Sequence, residues 1–222
     1  MSNNNETAEE LAEQNNQRID GVGTITFLFA HGAGAGMDHE FMVSVANGLS
    51  AHGIRVIRFN FPYMEKRLLD GKKRPPDRMP VLIDDMSQLL GGLKLDLPLF
   101  IGGKSMGSRV AASITTSEVM SHVNVKGVIA VGYPFHPIGK PEKLRLEPIL
   151  SNTLPMLIIQ GERDKLGSKE EIASYQLPTH CQIEFMRDGD HDIKPRVKSG
   201  FTHQEHIEDA ANRISNFIKG LC

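Results

Sequence analysis

A serine, an aspartate and a histidine are the residues of this chain whose types and spacing suit nucleophilic chemistry. Gly103-Lys104-Ser105-Met106-Gly107 has the form G-x-S-x-G, in which a serine projects from a sharp strand-to-helix turn. Small residues two before and two after let strand and helix approach, and the helix that follows aims free N–H groups at the serine. A serine hydroxyl is a weak nucleophile until a base takes its proton. His191, in Asp188-Gly189-Asp190-His191-Asp192, is the candidate base, and Asp164, in Gly161-Glu162-Arg163-Asp164, the candidate acid that orients it. Asp190, Asp192 and Glu162 are the competing acids; sequence neighbours of a histidine rarely present a carboxylate to its ring, which favours Asp164. The chain has nine histidines, but His180 precedes a strand and His203 and His206 open a helix, so position selects His191.

These groups need elements that bring them to one place. Thr24–Ala30, Ile54–Phe61, Leu97–Gly102, Val125–Val131, Leu154–Gln160 and Gln182–Met186 are apolar runs that read as strands buried on both faces. Phe41, Val45 and Leu49 recur at helical spacing, as do Leu82, Met86, Leu89, Leu90 and Leu93, then Met106, Val110 and Ile114, and lastly Ile207, Ala211, Ile214 and Ile218. Ser168–Glu171 and Thr202–Glu205 are capping boxes. Alternating strands and helices predict an α/β fold: a mostly parallel sheet of about six strands with helices on both faces. In such sheets chemistry gathers in the loops after the strands, and Ser105, Asp164 and His191 all follow one. The expected organisation is one domain over 23–222 behind a polar arm over 1–22.

Acyl transfer also needs donors aimed at the developing oxyanion. The N–H of Met106, next to the nucleophile, is one candidate. The N–H of Ala33, in the loop His31–Gly36 after the first strand, is the other. Asn60 and Tyr63 follow the second strand and Tyr133 and Phe135 the fourth, so all four are candidate substrate contacts. The run Lys66, Arg67, Lys72, Lys73, Arg74 could steer an anionic substrate, though a solvated loop accounts for it as well.

Other chemistries fit worse. Gly103-Lys104-Ser105 copies the end of a phosphate-binding loop, but the first glycine of that pattern falls on Pro98. Asp188–Asp192 echoes a calcium loop with Ile193 where glycine is required. No Cys/His spacing fits zinc, and neither a metal nor a cofactor is expected. A net charge of -2 argues against a general nucleic-acid binder. Two cysteines make no disulfide framework. The N-terminus lacks the basic start and apolar run of a signal peptide, and no apolar stretch reaches the roughly 18 residues of a membrane span. A cytoplasmic protein without membrane contact is the expectation; a homo-oligomer is compatible with it.

The sequence resembles the α/β-hydrolase superfamily from about Thr24 onward. Ala30–Met42, Arg58–Tyr63, the basic, proline-rich stretch around Arg74–Pro76, Gly102–Ala111, Gly132–Arg145 and Gly189–Asp192 look like the small, dienelactone-hydrolase-like group, which is similar to testis-expressed protein 30. The resemblance implies a Ser105, Asp164, His191 triad and a compact core without a large cap domain. Lys104 beside the nucleophile departs from it: it either biases the site toward acidic substrates or points into solvent. The expectation is a serine hydrolase cleaving a small ester or thioester through an acyl-enzyme. The alternative is a catalytically inert interaction module on the same fold.

Overall fold

The computed structural model describes residues 16–93 and 97–222. Seven strands form one sheet: β1 (Gln17–Asp20), β2 (Ile25–Ala30), β3 (Ile54–Phe59), β4 (Leu99–Lys104), β5 (Val125–Val131), β6 (Met156–Gly161) and β7 (Cys181–Met186). The spatial order is β1-β3-β2-β4-β5-β6-β7. All neighbours are parallel except β1, which runs antiparallel to β3 with Gln17 opposite Phe59. The strand order reverses at β2, which has β3 on one side and β4 on the other. A crevice therefore opens beyond the carboxyl ends of β2 and β4.

The continuous apolar strands have a simple cause: helices cover both faces. Phe27 and Phe29 of β2 point to one side and Leu28 and Ala30 to the other, all fully buried. On the first side α1 (Glu40–Ala51) and the C-terminal α7 (His203–Gly220) pack Val45, Leu49, Ile207 and Ile214 over the sheet. On the other, α2 (Pro62–Asp70), α3 (Met79–Gly92) and α4 (Met106–Ile114) contribute Met64, Leu82, Met86, Val110 and Ala111. Two short helices, α5 (Glu147–Ser151) and α6 (Lys169–Ile172), sit in the segments after β5 and β6. Both expected capping boxes form, at Ser168 and Thr202. The β5–β6 connection holds only α5, so it builds no cap over the site.

The polar arm expected over 1–22 needs correcting where the structure describes it; residues 1–15 lie outside that range. Gln17–Asp20 is not arm but the seventh strand. Its polar sequence hides it, because an edge strand needs no apolar run. It is fastened by charge. Arg58 of β3 is almost fully buried and donates from Nε to Asp20 Oδ2 at 2.6 Å and from Nη2 to Oδ1 at 3.0 Å. A two-point guanidinium–carboxylate pair of this kind has fixed geometry. Removing one partner strands a buried charge, although Met37 O and Asp38 also accept from Arg58. Asp20→Ala is therefore expected to lower the unfolding free energy by about 2 kcal/mol, measured by urea denaturation. A change within about 0.5 kcal/mol, the range of ordinary surface substitutions, would show that β1 is held by its backbone ladder alone.

Candidate active site

Ser105 sits between β4 and α4 with φ 52° and ψ -112°. That backbone is strained for a residue with a side chain. It persists because the packing allows no alternative. A methyl group at Gly103 would collide with the backbone of Gly107 and with Ala30 O, and one at Gly107 with the carbonyls of Ala30 and His31. The turn that carries Ser105 is thus pressed against the end of β2. This brings the loop His31–Gly36 beside Ser105.

The three residues singled out from the sequence come together. Ser105 Oγ lies 2.8 Å from His191 Nε2, and His191 Nδ1 lies 2.7 Å from Asp164 Oδ2. Asp164 is fully buried. Its Oδ1 accepts from Leu166 N at 2.8 Å, and its Oδ2 also accepts from Gln160 Nε2 at 2.9 Å. Both oxygens act as acceptors, so Nδ1 of His191 carries the proton and Nε2 is left to accept from the serine hydroxyl. The competing acids are engaged elsewhere. Asp190 Oδ1 accepts from Asp192 N and Lys194 N and shapes the histidine's own loop. Asp192 pairs with Lys104 at 3.1 Å, and Glu162 pairs with Lys169 at 2.8 Å while accepting from Asp188 N.

Met106 N–H is the first of α4 and has no acceptor within the helix. Among the described residues, none accepts from Ala33 N–H either. The loop carrying Ala33 is held from behind. Tyr63 Oη–H donates to Ala33 O at 3.0 Å, Asn60 Oδ1 accepts from Met37 N at 2.8 Å, and Arg67 Nη1 donates to Gly34 O at 3.1 Å. His31 is fully buried; its Nδ1–H donates to Gly32 O at 2.6 Å and its Nε2 accepts from Phe61 N at 3.0 Å. Those two bonds together require the neutral ring. Burial agrees, pushing the His31 pKa down from 6.5 to about 4 against the opposing pull of the Gly32 carbonyl.

A cavity of about 270 Å³ opens at Ser105, lined by Gly32–Ala35, His39, Phe41, Met42, Lys104, His191 and Asp192. The expected substrate contacts divide here. Lys104 reaches the cavity, but it neither points into solvent nor stands uncompensated. It is buried over the Phe41 ring and paired with Asp192. Burial holds its ammonium below the usual lysine value, against the neighbouring carboxylates. Asn60, Tyr63, Tyr133 and Phe135 do not line the cavity, and this corrects the expectation for them. Asn60 and Tyr63 brace the Ala33 loop. Tyr133 donates its N–H to Gln160 Oε1 at 2.8 Å and its Oη–H to Arg145 O at 2.9 Å, and Phe135 packs on Tyr133 and Tyr175. Their loops lie at the right end of the sheet, but large rings there are drawn into the core beneath the site. His39, Phe41 and Met42, at the start of α1, carry no mark of their own in the sequence of a place at the site. The loop leading from Ala33 into that helix is the available signal. Gln160 is equally unmarked, because a polar residue at a strand's end has no signal until its partner is known. Among the described residues no three His, Cys, Asp or Glu side chains group to hold a metal, and no helix is long and apolar enough to cross a membrane.

A parallel sheet with a serine turn after β4 and acid and histidine loops after β6 and β7 defines an α/β-hydrolase fold. The chain belongs to the alpha/beta hydrolase domain family, whose model matches residues 23–219. Its fold is similar to that of a lidless α/β serine hydrolase from Xanthomonas campestris, at 16% identity and a TM-score of 0.66 over 92% of this chain and 88% of that one. Dienelactone hydrolase from Anabaena variabilis is 18% identical, with a TM-score of 0.65 over 92% and 91%. Est1E from Butyrivibrio proteoclasticus, solved with ferulic acid bound, is 14% identical, with a TM-score of 0.65 over 93% and 94%.

The His31 pKa sets a pH test. The native ring takes a proton only near pH 4, the unfolded one near 6.5. Its contribution is complete above 6.5 and is lost as the pH falls toward 4, a loss of about 3 kcal/mol. In urea unfolding at about pH 7 and about pH 4, His31→Gln is expected to lose less stability than the wild type by about that amount. Equal losses would mean that His31 is not the neutral brace described.

Proposed function

We propose that the protein is a serine hydrolase that cleaves a small ester or thioester through an acyl-enzyme. The observation that carries this is the hydrogen-bonded chain from Ser105 Oγ through His191 to buried Asp164. In this reading Ser105 Oγ attacks the substrate carbonyl as His191 Nε2 takes its proton. Asp164 keeps the ring in the right tautomer and stabilises the imidazolium. The N–H groups of Ala33 and Met106 hold the oxyanion. His191 then protonates the leaving group, and the same ring activates the water that releases the acyl group. A cavity of about 270 Å³ supports a small substrate, being just below the range of typical ligand sites. Phe41 and Met42 supply an apolar wall. Lys104 already has a carboxylate partner, so its charge does not itself demand an acidic substrate.

Labelling with a fluorophosphonate, read by intact mass and peptide mapping, tests the reading. The expected adduct is on Ser105, absent in Ser105→Ala and sharply reduced in His191→Ala. Hydrolysis of p-nitrophenyl acetate should fall by about 10⁴-fold in either variant. Correctly folded wild-type protein that takes no label would reject the mechanism and favour an inert module on this fold.

A further inference from the structure

A cavity of about 410 Å³ lies on the helical face away from α1, between α3, α4 and α5. It shares no lining residue with the cavity at Ser105. Two guanidinium groups face it. Arg109 comes from α4, and Arg145 from the segment after β5; both are half-buried. Neither meets a carboxylate within ion-pair distance among the described residues, whereas Arg58, Arg74, Arg163, Arg196 and Arg213 each do. Arg109 Nε is buried and has no hydrogen-bond partner among the described residues. A buried polar group left unpaired is costly, and a charged one more so. The two cations also oppose one another: burial first, then the Arg109 charge, holds Arg145 below the usual arginine value. Two like charges on one cavity, one of them with an unpaired buried donor, suit an anionic ligand.

The rest of the lining narrows the ligand. Met79, Ile83 and Pro148 supply apolar wall. Glu147, at the exposed rim, is the one carboxylate; its Oε1 takes the Ser151 hydroxyl at 3.2 Å. From this we infer a second ligand site, at which Arg109 and Arg145 bind the head of a small oxyanion whose short apolar body rests on Met79, Ile83 and Pro148. A phosphate monoester and a carboxylate share that chemistry, since both accept paired guanidinium N–H groups. The inference does not depend on the hydrolase reading.

Calorimetric titration tests it, with phenyl phosphate and benzoate as anionic probes and phenol as the neutral control. The protein carries Ser105→Ala throughout, so that turnover does not contribute heat. The two anions are expected to bind and phenol not to, and the tighter anion identifies the head group. Adding Arg145→Gln or Arg109→Gln should weaken binding at least about tenfold. Arg109 lies on the nucleophile's helix, so its variant is checked by thermal melting. If that variant is unstable, Arg145→Gln decides, because its guanidinium makes no hydrogen bond in the fold among the described residues. Absence of binding up to about 10 mM, or binding unchanged by Arg145→Gln, would overturn the inference.

Discussion

The architecture of the site follows from one close contact, the backbone of Gly107 against the carbonyls of Ala30 and His31. With no side chain at Gly107, the start of α4 can lie on the end of β2. Ser105, caught in the turn, adopts positive φ. Strain at a single residue costs of order 1–3 kcal/mol and persists only where surrounding structure over-determines it. Here Ser105 N is tied to Val131 O at 3.0 Å, and its carbonyl accepts from Ser108 N at 3.1 Å and from Arg109 N. The same contact fixes the loop after β2 beside the serine. Ala33, in that loop, thereby lines the cavity at Ser105.

The loops around that crevice are held by buried polar groups with near-complete pairing. On the β2–β3 side a neutral histidine, an asparagine and a tyrosine hold the Ala33 loop through its own backbone. On the β6–β7 side Gln160 spans Tyr133, Gly167 and Asp164 with one amide group. The carboxylates divide the remaining work: Asp164 faces the histidine, Asp190 folds the loop that presents it, Asp192 compensates Lys104 and Glu162 pins Asp188. A buried network of this kind is worth having only when its members are satisfied, and these are.

Much of this was legible in the sequence, for reasons specific to each residue. The central strands show because two-sided burial makes them continuously apolar, and the capping boxes show because they are local. Ser105 is marked by its glycines, and Asp164 and His191 by following strands. What stayed hidden depends on direction or on a distant partner. β1 is an edge strand whose polar residues carry no periodic signal; its partner Arg58 reads as an ordinary charge in an apolar run. Asn60, Tyr63, Tyr133 and Phe135 were placed in the right loops, but the outcome of burial decides whether a ring faces a cavity or the core. Lys104 shows the same limit, because its burial depends on Asp192, a residue 88 positions on in the chain.

The segment after β5 joins these strands of argument. Arg145 N–H donates to Phe135 O at 2.7 Å, and Arg145 O accepts from Tyr133 Oη–H. Tyr133 in turn donates its N–H to Gln160, and Gln160 holds Asp164. The backbone that carries one guanidinium of the outer cavity is therefore continuous, by hydrogen bonds, with the group that orients His191. On the other side of that cavity Arg109 lies one helical turn beyond Ser105. The two arginines thus stand on the segment that carries Tyr133 and on the helix that follows Ser105. The glycine contacts at the elbow leave α4 no room to shift toward β2, whereas the β5–β6 segment is a single short helix with exposed flanks.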